Sequence, residues 1–127
     1  MRIGFVCGLA DERRIIQHLP GDVLSAVSGA RAAQAKARAA ELVAGRAQAL
    51  VSFGLAGGLD PALRAGDLVV SAHVTAADAT VRGDAVWAER VRARLTTDVA
   101  HAGAVLGETT VKSSPGTKAQ AFARTGA

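Results

Sequence analysis

An α/β fold, a sheet with helices on both faces, is what these 127 residues predict, on three observations. Short apolar runs of strand length recur at 1–7, 23–28, 49–51 and 68–74. Segments with helical patterning separate or follow them, at 10–18, 30–44 and 85–95. Three glycines, Gly54, Gly57 and Gly58, crowd into five residues directly after the third apolar run. The carboxyl end of a strand is where open α/β sheets hold their ligands.

The elements follow in chain order. Ile3, Phe5 and Val6 mark the first strand, and Gly8-Leu9 leads into a helix over 10–18. Asp11 and Glu12 fall in its first turn, where carboxylates suit the helix dipole. Leu19-Pro20-Gly21-Asp22 ends that helix and turns the chain into a second strand at 23–28. Eight of the fifteen residues 30–44 are alanine, the best helix former. Ala33, Ala37, Ala40 and Ala44 share one face at helical spacing, and this small-residue face is expected to approach the sheet. Gly45 stops the helix.

Ala49-Leu50-Val51 reads as a buried strand, and the stretch SFGLAGGLDPALRAGD (52–67) follows it. Glycine allows approaches that a Cβ forbids, so Gly57-Gly58 is expected to make a sharp exit with main-chain groups facing a ligand. Asp60-Pro61 and Gly66-Asp67 are turn signals before a strand over 68–74. Residues 76–84 read as a hairpin or loop. Val86, Trp87, Val91 and Leu95 give the helix at 85–95 an apolar stripe, with Trp87 in a core or an interface. A strand over 102–106, a loop over 111–116 and a helix over 118–124 capped by Thr117 complete the chain. One domain over residues 1–127 is expected.

Composition excludes several classes. Half the residues are hydrophobic, unlike a disordered chain. Fifteen Lys/Arg against eleven Asp/Glu leave a formal charge of +4. The basic residues are spread out and aromatics are few, so no nucleic-acid partner is expected. Cys7 is the single cysteine; it excludes an internal disulfide, fits a reducing compartment, and reads as a small buried hydrophobe. The start MRIGFVCG is too short and too lightly charged for a secretory leader, and no stretch approaches membrane-span length. A cytoplasmic location is expected, with peripheral membrane contact left open. His18, His73 and His101 lack metal-ligand spacing, so no metal is expected. Gly8-Leu9 is not a dinucleotide fingerprint, and Ser113-Ser114 reads as capping or loop material.

SFGLAGGLDPALRAGDLVV, together with the rest of the chain, resembles the nucleoside phosphorylase superfamily, the purine nucleoside phosphorylases and methylthioadenosine/S-adenosylhomocysteine nucleosidases. The alanine-rich texture and the form SFGLAGGLDPALR are most similar to its hopanoid-associated branch. The resemblance implies a three-layer fold with a central mixed sheet. It also implies that the chain is the N-terminal portion of that fold, incomplete at the C-terminus, because the family's Met-Glu strand and later aspartate find no match. The implied reaction is cleavage of an N-glycosidic bond, with adenosylhopane as substrate and adenine as product. No cofactor is implied beyond phosphate as a co-substrate.

The implied catalytic residue is Glu12, in register with a water-activating glutamate. An ordinary helix-start carboxylate stands as the alternative. The implied substrate-binding residues are Gly8, Leu55, Ala56 and Gly57, acting largely through the main chain. Leu55 replaces a residue that is polar in many relatives, and Arg31 replaces a glycine. Arg31 reads either as a phosphate grip or as a solvated helix-surface charge. The implied partners are a purine nucleoside-like small molecule and further copies of the chain. The alternative is an inactive binding or oligomerisation module: the missing carboxylates imply that residues 1–127 alone are catalytically dead, and a sheet that ends early, with unpaired strand edges and uncovered apolar faces, is expected to leave them poorly stable as a monomer.

Overall fold

The structure is a computed structural model and describes residues 1–76, 79–96, 98–107 and 114–125. The chain divides into two compact units, Met1–Ala56 and Gly57–Ala127.

The first unit contains β1 (Ile3–Cys7), α1 (Ala10–Gln17), β2 (Val23–Val27), α2 (Ala32–Ala44) and β3 (Ala49–Phe53). Its sheet has the order β2-β1-β3, and both pairings are parallel. Helical crossovers are what parallel neighbours need, and α1 and α2 both pack against β1 and β2. Gly4 shows why the central strand tolerates this packing. A Cβ on it would stand 3.0 Å from Leu50 Cδ2 and 3.2 Å from Leu42 Cβ. Cys7, Ile16 and Leu42 are buried, and Phe5 meets Phe53 edge to face with ring centroids 6.5 Å apart.

Two expectations fail here. Leu42 is the buried residue of α2, with Ala35 and Ala39 half-buried on its side, whereas Ala33, Ala37, Ala40 and Ala44 are exposed. Alanine carries too little apolar contrast to set a helix's phase, and one leucine outweighs four alanines. The strand at 49–51 is real, but it is not buried. β3 is an outer strand of its sheet among the described residues, and Leu50 is 41% exposed.

The second unit contains β4 (Leu68–Val70), β5 (His73–Thr75), β6 (Thr80–Arg82), α3 (Ala85–Arg92), β7 (Ala100–Ala102), β8 (Val105–Leu106) and α4 (Pro115–Thr125). β4 pairs with β7 in parallel. β5 pairs with β6 antiparallel and with β8 in parallel, so this sheet is mixed. The antiparallel pair realises the hairpin expected over 76–84, although residues 77 and 78 lie outside the described residues.

The expected strands at 68–74 and 102–106 are each broken. Leu68 pairs with Ala100 and Val74 with Val105, so residues 68–74 run against residues 100–105, one residue longer on the first side. An extra residue on one side makes a bulge, and the strand that carries it bends. Ser71 fits that bend: its hydroxyl donates to the carbonyl of His73 and accepts from the His73 amide. A side chain that engages a nearby main chain competes with the ladder.

α3 stops at Arg92, short of Leu95, and Asp84 caps its start by accepting from the Trp87 amide at 2.8 Å. The helix packs against β4 and β7, but Val86 is exposed rather than on a buried stripe. α4 starts earlier than expected. Pro115 occupies its first position, where the missing N–H costs nothing, and Ser114 Oγ accepts from the Thr117 amide at 3.3 Å. The capping residue is therefore Ser114, not Thr117. Residues 111–113 of the expected loop lie outside the described residues.

Candidate active site

Three loops leave the carboxyl ends of β1, β2 and β3. They are Gly8-Leu9, residues 28–31 and residues 54–56. The second loop is fastened to the first: the Ser28 amide donates to the Cys7 carbonyl at 2.8 Å, and the Ala30 amide to the Gly8 carbonyl at 3.1 Å. The buried Ser28 hydroxyl adds a 3.2 Å bond to the same Cys7 carbonyl. Ala30 is held at φ 56°, a left-handed conformation that costs a non-glycine residue about 1–2 kcal/mol.

Glu12 binds the first loop to the third. It is the third residue of α1 and only 6% exposed. Its Oε2 accepts from the Leu9 amide at 2.8 Å, the acidic half of a capping box whose other half the leucine side chain cannot supply. Its Oε1 accepts from the Leu55 amide, also at 2.8 Å, across forty-three residues of sequence. An ordinary helix-start carboxylate makes only the first bond. A carboxylate has about four lone-pair positions, and these two bonds use two of them. Asp11 turns away, paired with Arg14 at 2.9 Å on the exposed side of α1.

Gly54 makes this arrangement possible. A Cβ there would come within 2.7–2.8 Å of the Glu12 carboxylate atoms. Gly8 is also close, since its Cβ would lie 3.4 Å from Glu12 Oε2. Of the residues expected to bind substrate, Gly8 and Leu55 therefore meet Glu12, Leu55 through its amide. The Leu55 side chain is 88% exposed. Ala56 follows it on the exposed loop, and Gly57 and Gly58 begin the second unit. Neither Gly57 nor Gly58 has positive φ. The glycine that close approach demands is Gly54, which belongs to the same motif but was not among the residues expected to bind substrate.

Arg31 precedes α2 and is exposed. Cys7 is fully buried; its thiol pKa is raised by desolvation, then by the negative charge of Glu12, with Arg13 opposing. A cavity of about 350 Å³ lies along α1 and β2, lined by Arg13, Ile16, Leu19 and Ser25 among others, and Glu12 does not line it. In the second unit His101 Nε2 stands 3.2 Å from Asp67 Oδ2, without the alignment of a hydrogen bond. Among the described residues, no three His, Cys, Asp or Glu side chains gather as metal ligands, and no helix is long and apolar enough to cross a membrane.

The family model of the phosphorylase superfamily matches residues 4–125. No curated protein matches the chain.

Proposed function

The chain belongs to the phosphorylase superfamily, and on that premise we propose that it cleaves an N-glycosidic bond, releasing adenine from adenosylhopane in hopanoid biosynthesis. The superfamily fits a nucleoside-like small molecule as substrate, and the mixed α/β architecture agrees with a phosphorylase/nucleosidase-like fold. The observation that carries the reading is the Glu12 carboxylate, held by the amides of Leu9 and Leu55 beyond the ends of β1 and β3.

Breaking the bond between the anomeric carbon and a purine nitrogen leaves cationic character on the sugar. It also puts an electron pair on the base. A fixed carboxylate with free lone pairs stabilises that cation and accepts a proton from an attacking water. Gly8, Leu55, Ala56 and Gly57 supply main-chain contacts in this reading. The form SFGLAGGLDPALR supports the hopanoid branch. A hopanoid is a lipid, so contact with a membrane surface belongs to the same proposal, as do a cytoplasmic location and a homo-oligomeric state. Chromatography of incubations with adenosylhopane and simpler adenosyl compounds, with and without phosphate, tests the activity. Free adenine is the expected product, and no base from any of them overturns the reading.

A second reading is an inactive binding or oligomerisation module. The exposed Leu50 on outer strand β3 and the exposed Leu55 beside it favour this reading. Stable self-association without turnover would select it.

A further inference from the structure

Two loops of the first unit are joined peptide by peptide. The Cys7 carbonyl, at the end of β1, accepts twice from Ser28, from its amide at 2.8 Å and from its hydroxyl at 3.2 Å. A carbonyl oxygen has two lone pairs, so one residue fills this oxygen and fixes the Cys7–Gly8 peptide plane. The next peptide joins Gly8 to Leu9. Its carbonyl accepts from the Ala30 amide at 3.1 Å, and its N–H donates to Glu12 Oε2 at 2.8 Å. A peptide is planar and rigid, so whatever tilts the Gly8 carbonyl also moves the N–H that holds Glu12. Hydrogen bonds in such a series polarise one another. Ser28 is 7% exposed, and the two residues after it, Gly29 and Ala30, have φ of 63° and 56°. A non-glycine residue in the left-handed region persists only where its surroundings fix it, and the Ser28 hydroxyl ties this turn to β1.

We propose that Ser28 is a positioning residue: through the Cys7 carbonyl it sets the Gly8-Leu9 main chain, and with it the place of the Glu12 carboxylate. The catalytic consequence rests on the N-glycosidic reading above, in which Glu12 faces the sugar cation. A misplacement of about 1 Å costs such a group on the order of a hundredfold in rate. Ser28 touches no substrate in this scheme and acts on the rate through Glu12.

The amide signals of Leu9 and Leu55 in the ¹⁵N-labelled full chain report the two bonds to Glu12, and Glu12→Gln identifies them by moving both. Leu55 follows β3, across β1 from Ser28, so its signal carries an effect that travels through Glu12. Ser28→Ala is expected to move both signals, and Ser28→Thr, which keeps the hydroxyl, to leave them near their wild-type positions. Ser28→Cys, of similar size but a weaker donor, should move them less, and it decides the matter if Ser28→Ala does not fold. Arg2→Met is the control for stability alone. Arg2 donates to Asp22 and to the Gly45 carbonyl at the opposite end of β1, so its loss should lower the melting temperature and leave both signals in place. In base release, Ser28→Ala should lower kcat about tenfold, the scale of one hydrogen bond, with KM within about threefold. Ser28→Thr should restore kcat to within about threefold. An unmoved Leu55 signal in Ser28→Ala, or in Ser28→Cys should Ser28→Ala not fold, overturns the proposal. So does an equal loss of kcat in Arg2→Met, which would mark a general effect of stability. A wild-type chain that releases no base refutes the N-glycosidic reading instead, and the Leu55 signal still decides whether Ser28 places Glu12.

Discussion

Glu12 spends both oxygens on main-chain amides, so a substitution there touches its chemistry and its structural role together. Glu12→Gln keeps the shape and one strong acceptor but removes the charge. In the active protein it should lower the rate of base release about a hundredfold or more, with a much smaller change in substrate binding, read by steady-state kinetics. An unimpaired variant would return Glu12 to a purely structural role. The glycines give a second contrast. Gly54→Ala places a methyl against the Glu12 carboxylate and should cost about 1–3 kcal/mol in denaturant unfolding, as overpacking does. Gly57→Ala meets only ordinary contacts and should stay within about 0.5 kcal/mol. Equal costs would show that Gly54 does not shape the site. Cys7 carries a pH prediction. Its pKa is raised in the folded state, so the unfolded chain loses the thiol proton first. Its contribution is fully present below the ordinary thiol value, about 8.5, and falls away as pH rises through the folded value. A Cys7→Ala variant should lack that alkaline slope in melting experiments. The Glu12 to Leu9 bond was legible from helix-start position alone. The Leu55 bond was not, because nothing in a sequence measures the distance between two loops.

Element boundaries were set by single side chains that pattern reading weighs lightly. Ser71 marks a break in an apolar run, and Ser114 with Pro115 starts α4 ahead of Thr117. Both effects come from hydroxyls bonding to nearby main chain. The α2 phase is the clearest case. Leu42→Ala should cost about 2–5 kcal/mol, the range for an emptied buried leucine site. Ala37→Glu, on the face first expected to be inward, should change stability by no more than about 0.5 kcal/mol. Chemical denaturation of the two variants decides between the faces, and the reverse order of costs would restore the alanine face.

For the molecule as a whole, exposed apolar residues such as Val43, Leu50 and Leu55, with outer strands β2 and β3 in the first unit, favour association. Sedimentation over a range of concentrations should show species heavier than the 12.8 kDa chain. A single cooperative monomer at all concentrations would refute this. By itself the sequence determined the α/β class, the order of most strands and helices, the family, and the segment from which the loop residues come. Those follow from local periodicity, from glycine and proline punctuation, and from a motif contiguous along the chain. Tertiary structure alone decided that Gly54 faces Glu12 and that Leu55 contributes an amide rather than a side chain. It also decided where the extra residue falls between the two paired segments. Each of these depends on a separation in space between residues far apart in sequence, set by strand register and helix packing, which no local pattern encodes.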